Sequence, residues 1–367
     1  MRISVIKAYL KKEFLDLIRS KMIILVYFMP TLIIFLFGYG LKLEITHART
    51  VIIDRDNTKL STEIVNKFEH SKYFDTKLMS IDDNDALDLI KKNKIDLFIV
   101  IPSGFTRSLL HRNPAEIGVY IDGSFPLRAT TLEGYVQGMF VNILAKNGIK
   151  EPIRVNQRNL FNESLRDENA IIPGIIGLTL LLAPSILAAL MIVKEKEIGT
   201  IFNFYSSPIT KGEFLISKLV PPFLLHSVNI YILFLWAVYY FDVPFKGSFL
   251  LYVIASEIYV MVSVGIGLLV SAITKTQVSA LVLSIIITVI PGFLYSGIMM
   301  PITSMDKFSL IEAHLFPIMY YNHIVYDTFL VGEGFNSMIN LLYLGILLVY
   351  AFALLFIGSL FIKKAFK

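Results

Sequence analysis

Residues 193–222 read VKEKEIGTIFNFYSSPITKGEFLISKLVPP, a charge-dense island between two apolar runs at 171–193 and 219–241. Each flanking run is long enough to cross a hydrocarbon core of ~30 Å as a helix, which takes about 20 residues. The island is therefore expected to be a turn-around on one face of a membrane. Lys194, Glu195, Lys196 and Glu197 continue the preceding helix beyond the bilayer, Gly199 and Pro208 punctuate the segment, and Ser207 precedes the proline. Thr210 with Glu213 three residues on has the form of a capping box, so a short helix is expected over 210–218, ending at Lys218. Compact, charged elements of this kind suit an elbow, 194–218, on which another protein pushes.

Working outward, six stretches have the length and composition of membrane helices: 22–41, 171–193, 219–241, 249–272, 278–300 and 340–362. Pro291 and Gly292 interrupt the fifth and predict a kink or break there. The whole chain agrees with this reading: of its 367 residues 55% are hydrophobic and only 17% charged, and mean hydropathy is +0.66, too apolar for a water-soluble domain. The first stretch is too long for a signal-peptide core and lacks a small-residue cleavage site, so it reads as a retained anchor. The fold class expected is an α-helical polytopic membrane protein of six transmembrane helices with an inserted extracytoplasmic α/β domain.

Lysine and arginine set the orientation. Arg2, Lys7, Lys11, Lys12, Arg19, Lys21, the elbow's Lys194, Lys196, Lys211 and Lys218, then Lys275, Lys363, Lys364 and Lys367 lie on one side, against Lys246 and Lys307 in the short loops opposite. Both termini are expected in the cytoplasm, as an even number of spans also requires. Residues 1–21 place Ile3, Ile6, Leu10, Phe14 and Leu17 on one helical face and Lys7, Lys11 and Lys12 on another, the pattern of an amphipathic helix in the headgroup layer, either a plain membrane flank or part of a docking surface.

Residues 42–170 are the polar excursion on the outer side, with 18 basic and 18 acidic residues, so the net +5 of the chain belongs to its cytoplasmic face. Apolar runs at 50–53, 74–79, 95–101 and 117–121 alternate with amphipathic ones at 60–69, 82–92, 103–111 and 126–147, which predicts a small sheet with helices packed on it. A further helical piece is expected over 156–169. The last outer connection, 301–339, is apolar enough for interfacial or re-entrant helices at 308–316 and 320–329, separated by Pro317. Tyr295, Tyr320, Tyr321 and Tyr326 fit an aromatic belt. The tail is 363–367.

Several chemistries are excluded. There is no cysteine, and the six histidines show no metal-ligand spacing. Asp54 with Asp56, and Asp82, Asp83 and Asp85, resemble metal ligands by composition, but a turn and a helix cap explain them as well. No phosphate loop of the form GxxxxGK[ST] is present, nor HExxH, GxSxG or CxxC. The chain is therefore expected to bind no cofactor and no metal, and no nucleic-acid partner is expected. Within the apolar stretches the polar exceptions are Glu257, with Ser256 beside it, and His226 with Asn229, three apart on one face. Glu257 fits a substrate path, a subunit interface or an interfacial structural role; His226 and Asn229 suit helix-to-helix hydrogen bonds.

Taken together, Glu195, Lys196, Glu197, Gly199, Thr200, Ser207-Pro208 and Lys218, with Ile101-Pro102-Ser103-Gly104-Phe105, Ile172-Pro173-Gly174, Tyr295-Ser296-Gly297, Pro301, Met305, Pro317 and Gly332, resemble the ABC-2 type permeases in the branch with a large extracytoplasmic domain after the first span. One departure is Tyr326-Asp327, where many relatives carry a basic residue. The resemblance implies the membrane subunit of an ATP-driven exporter, with two permeases, identical or paralogous, working with separate ATP-binding cassette subunits that bind ATP and magnesium. It makes Glu195, Lys196, Glu197, Gly199, Thr200, Ser207, Pro208, Glu213 and Lys218 the candidates for coupling to the ATPase, with Glu257, His226, Asn229, Pro291 and Gly292 for the substrate path or an interface. A drug, lipid or glycan-like amphiphile is the implied cargo, the lipid bilayer the setting (the inner membrane of a two-membrane cell), and a periplasmic adaptor a further partner of the outer domain. A membrane receptor or assembly factor using the outer domain to bind a ligand is the alternative. A secondary transporter is disfavoured by the single convincing intramembrane carboxylate and the lack of an inverted repeat.

Overall fold

The computed structural model describes residues 2–20, 22–40, 45–92, 94–111, 116–122, 126–146, 166–207, 209–299, 302 and 305–362. Pro208, Pro301, the tail 363–367 and most of the helical piece expected at 156–169 lie outside the described residues. The chain divides into two compact units, Lys42–Gln157 and the remainder. Residues 167–170, read from the sequence as the end of the outer domain, are the first turn of α7 in the second unit.

In Lys42–Gln157 four strands, β1 Ala48–Asp54, β2 Phe74–Leu78, β3 Leu97–Ile101 and β4 Gly118–Ile121, lie in the order β2-β1-β3-β4. β1 runs parallel to β2 and β3, whereas β4 is antiparallel to β3. All five residues of β3 are buried, which accounts for its unbroken apolar run, since a central strand covered on both faces does not alternate. One face packs Ile52, Leu97 and Ile99 against Ile64 and Phe68 of α3 (Lys59–Glu69), Phe105 of α5 (Phe105–Leu110) and Leu132 and Val136 of α6 (Pro126–Lys146). The other packs Val51, Phe98 and Val100 against Ala86 of α4 (Asp83–Lys91).

Of the aspartates that resembled metal ligands, Asp54 and Asp56 hold a turn, Asp82 stands at the start of α4 without a side-chain capping bond, and Asp83 accepts from Arg55 at 2.8 Å. Asp54 Oδ1 accepts from the backbone N–H groups of Asp56 and Asn57 at 2.9 and 3.1 Å. Asp56 Oδ2 accepts from the Thr58 hydroxyl at 2.8 Å and from Thr106 N and Oγ1 at 3.1 and 2.5 Å. Partial burial would raise the Asp56 carboxyl, but these donors favour the ionised form and hold it below the ordinary range.

The second unit is helical: α1 Ile3–Arg19, α2 Met22–Gly40, α7 Asp167–Ile198, α8 Ile201–Ser206, α9 Lys211–Leu235, α10 Phe249–Ile273, α11 Gln277–Leu294, α12 Lys307–His314, α13 Pro317–Tyr326 and α14 Met338–Phe361. Among the described residues five helices are long and apolar enough to cross a membrane, namely α7, α9 with the π-helical turn 236–240 that extends it, α10, α11 and α14. The first of the six stretches read from the sequence is α2, Met22–Gly40, of which Val26–Gly40 counts among the shorter apolar helices.

α7 is the hub. It is apolar all round because it is surrounded: Ile171 to Val193 are almost wholly buried, and α2, α9, α10, α11 and α13 all pack on it. Apolar surface alone does not hold helices together in lipid; close packing and interhelical hydrogen bonds do. Gly267 of α10 shows the first, since its Cα faces the Ser185 carbonyl oxygen of α7, and Ser263 Oγ shows the second, donating to Leu181 O at 2.5 Å.

Four expectations are corrected. The helix expected at 210–218 is not separate; Thr210 caps α9, which continues through Pro221 and Pro222 without a break. The fifth stretch ends at Leu294 rather than residue 300, and Pro291 and Gly292 stay inside the helix, where Gly292 packs on Leu178 of α7. The two helices expected around Pro317 are α12 and α13, but the second starts at Pro317 itself rather than at residue 320, because proline at the first helical position costs no hydrogen bond. The tyrosines of α13 form no belt: Tyr321 is fully buried and stacks on Tyr259 with ring centroids 4.0 Å apart. Its hydroxyl lies 2.8 Å from Ser256 Oγ, and Tyr326 donates to Ala170 O at 2.7 Å. α13 is packed against α7, α10 and α14, so its aromatic rings serve the interior.

The departure at Asp327 also has a structural use. Its buried carboxylate accepts from Gly334 N at 2.9 Å and Asn340 Nδ2 at 2.8 Å, tying the loop after α13 to the start of α14. A basic side chain has no such acceptor to offer.

Candidate functional site

The elbow is built from the end of α7, a left-handed glycine, the short α8 and the start of α9. Successive residues of a helix point about 100° apart, so Glu195, Lys196 and Glu197 reach three different neighbours. Glu195 Oε1 accepts from Lys218 Nζ of α9 at 2.5 Å. Lys196 Nζ donates to the Ser271 carbonyl and reaches Thr274 O at 3.5 Å, supplying donors to the last carbonyls of α10. Glu197 Oε2 accepts from Gln277 N and Nε2, both at 2.9 Å, capping the first turn of α11. Three consecutive side chains thus fasten α7 to three other helices.

Lys218 is the centre of a buried ion cluster. Its ammonium lies 2.8 Å from Glu13 Oε2 of α1 and 2.5 Å from Glu195 Oε1, with side chains 4% exposed for Lys218 and 6% and 16% for the two acids. Lys12 stands at the rim, 3.7 Å from Glu13 Oε1 and 3.9 Å from Glu195 Oε1. Nothing in the local spacing of residue 13 announces this contact, and sequence reading missed it. The one available signal is that Tyr9, Glu13 and Leu17 share a helical face with the apolar stripe as neighbour. Tyr9 and Leu17 do pack inward, while Ile3 of that stripe is left exposed.

Glu213 caps two helices at once. It accepts from Thr210 N at 2.9 Å while Thr210 Oγ1 accepts from Glu213 N at 3.3 Å, the expected reciprocal box. Its other oxygen accepts from Arg2 N at 2.7 Å at the start of α1. Phe204 of α8 stacks on Phe214 at 4.1 Å, pinning the short helix to α9, and Ser207 Oγ closes it by donating to Phe204 O at 3.0 Å. Gly199 has φ +84°, a conformation that costs an L-residue about 1 kcal/mol or more. Gly199→Ala is therefore expected to destabilise by about 1 kcal/mol and to lower the melting temperature measurably although its added methyl meets only Phe202, at 3.9 Å. Thr200 makes no capping bond and is exposed with Ile198 and Phe202.

A family model described as "ABC-2 family transporter protein" matches residues 20–360, from before α2 to the end of α14. The chain belongs to the ABC-2 family. Over 343 residues it is 29% identical to the "Probable multidrug ABC transporter permease YbhS" of Escherichia coli K12, covering 91% of this chain and 89% of the relative. It is 25% identical over 339 residues to the corresponding YbhR of the same strain, covering 91% and 92%. It is 28% identical over 273 residues to the E. coli K12 "Inner membrane transport permease YhhJ", covering 71% of each. The protein is thus the membrane subunit of an ABC transporter, a permease rather than an enzyme, and resides in a membrane.

The remaining candidates of this ABC-2 permease do not gather at the elbow. Asn229 Nδ2 donates to Val26 O at 2.9 Å, joining α9 to α2. His226 Nδ1 lies 2.9 Å from Pro222 O of its own helix. Glu257 Oε2 accepts from Ser227 Oγ at 2.7 Å, joining α10 to α9. Pro291 and Gly292 are buried on α11. Asn322 of α13 escaped the sequence reading; its amide donates to Ser296 O at 3.0 Å deep in the bundle.

Proposed function

We propose that this permease is the transmembrane half of an ATP-driven exporter, with α2 as a sixth span, both termini and the elbow in the cytoplasm, and the α/β unit outside. ATP-binding cassette subunits dock on the elbow, and a second permease, identical or paralogous, completes the path for a drug, lipid or glycan-like amphiphile. The multidrug designation of its relatives supports that class of cargo. On the outer side, the α/β unit meets a periplasmic adaptor where the cell has two membranes.

The observation that carries this reading is the fan of Glu195, Lys196 and Glu197, which ties one elbow to α9, α10 and α11. A push at the elbow is passed to three spans together instead of being absorbed by one. Because these charges are engaged within the chain, the docking face consists of the exposed residues beside them, with Ile198 62% and Phe202 54% exposed.

Lys196→Met removes the strut to α10 and leaves that exposed face intact. In proteoliposomes of the full complex, ATP hydrolysis by the partner is expected to persist while efflux of a lipophilic dye falls about tenfold, a loss of on the order of 1.4 kcal/mol in coupling. Unchanged efflux per ATP would overturn the proposal.

A further inference from the structure

α1 turns both of its acids, Glu13 and Asp16, toward the rest of the bundle. Glu13 is bound to Lys218, and Asp16 lines the cavity beside that ion cluster. At about 100° per residue, Lys7, Lys11 and Ile18 fall within about 40° of one another on the outward side, and both acids lie about 120° or more away from them. Lys7 and Lys11 are exposed, and neither is paired among the described residues. By contrast, Arg2 reaches Glu213, and Lys12 stands by Glu13 and Glu195. The helices that pack on α1 bring no acid to the outward side: α2 has no charged residue, and Glu213 of α9 is taken up by Arg2 and Thr210. Beyond the two lysines the same face is apolar. Leu15 and Ile18 are 38% and 58% exposed, and the file continues along α2 through Ile24, Phe28, Leu32 and Leu36, four residues apart and all exposed.

We propose that the outward face of α1 binds an anionic phospholipid of the cytoplasmic leaflet, with its phosphate between Lys7 and Lys11 and its chains against Ile18 and the file on α2. This rests on the reading of α2 as a span with α1 on its cytoplasmic side. Two lysines four residues apart are neighbours on a helix, and with no counter-charge in the chain they complement one phosphate. A lipid suits this face better than the ATP-binding subunit, because the exposed apolar file runs without a break from α1 onto a membrane helix, and lysine lays its apolar stem along such a surface while holding its charge at the headgroups. α1 is tied to the start of α9 through Arg2 and to Lys218 through Glu13. A lipid seated here therefore steadies the helix against which the elbow's ion cluster closes.

Native mass spectrometry of the full-length permease, released from nanodiscs of equal phosphatidylglycerol and phosphatidylcholine, tests the seat. Wild type should retain phosphatidylglycerol in preference to phosphatidylcholine. Lys7→Gln combined with Lys11→Gln should lower that retention about thirtyfold, at about fivefold for each lysine beside an anionic surface. Lys7→Arg with Lys11→Arg should bind as wild type does. Lys59→Gln with Lys77→Gln removes the same charge from exposed positions of the α/β unit and should change nothing. Equal retention of the two lipids by wild type, or undiminished phosphatidylglycerol on the glutamine double variant, would overturn the proposal. So would a double variant that keeps its phosphatidylglycerol but binds the co-purifying ATP-binding subunit more weakly, since the face would then belong to the protein partner. The chain has no cysteine, so Ser4→Cys reports the side of α1 independently. Labelling by an impermeant maleimide only in inverted vesicles keeps α1 cytoplasmic, and a lipid result that then fails overturns the seat alone; labelling from the outer side would remove the topology and the seat together.

Discussion

Lys218→Met in the full-length permease is expected to cost about 3–5 kcal/mol, because it leaves the Glu13 and Glu195 carboxylates desolvated with only the half-exposed Lys12 near them, at 3.7 and 3.9 Å. In a detergent melt this should appear as a fall on the order of 10 °C, or as loss of folded material at expression. Removal of one partner from a buried ionic group is far more damaging than removal of the whole group, since apolar side chains of similar volume need no counter-charge. The triple variant Glu13→Leu, Glu195→Leu, Lys218→Met should therefore recover most of the lost stability. A triple variant that melts at or below the single one would show that the ammonium matters for packing and not for charge. The triple variant should nonetheless fail in transport, because the strut between α7 and α9 has gone with the charges.

The second large effect is expected at Gly267. A methyl group there would overlap the Ser185 carbonyl oxygen and lie 2.8 Å from Ala188 Cβ, so the clash is with backbone and cannot be relieved by turning a side chain. Gly267→Ala should cost about 1–3 kcal/mol by overpacking, and Gly267→Leu should abolish folded yield, because α10 would have to leave the hub helix. Gly345 of α14 is the control: nothing lies within 4 Å of an added methyl. Its alanine variant should be unchanged or up to about 1 kcal/mol more stable, from helix propensity alone. Equal melting temperatures for the two alanine variants would refute the close approach of α7 and α10.

Much of the architecture is legible along the chain because its causes are local. Apolar runs of span length marked α7, α10 and α14 to within a few residues, and α11 at its start. The box of Thr210 and Glu213 marked the start of α9, and Asp82–Lys92 lay over α4. Reading was weaker where a residue type has two outcomes of similar energy. Pro291 breaks some helices and sits within the last turns of α11 here, and Pro317 can end a helix or begin one. The tyrosines of α13 are amphipathic enough for an interface or an interior, and only the insertion of α13 against α7, α10 and α14 buries them.

The candidate site divides the same way. Composition and spacing picked out the elbow and its charged residues. They did not show that Glu195, Lys196 and Glu197 are engaged within the chain, since their partners, at positions 218, 271 and 277, are named by no local pattern. By itself, then, the sequence determined membrane character, most helix positions and the capped elbow, all consequences of hydropathy and helical period. Only the tertiary structure decided that Glu13 meets Lys218 across 205 positions, because a buried charge is partnered through the packing of whole helices rather than through its neighbours in the chain.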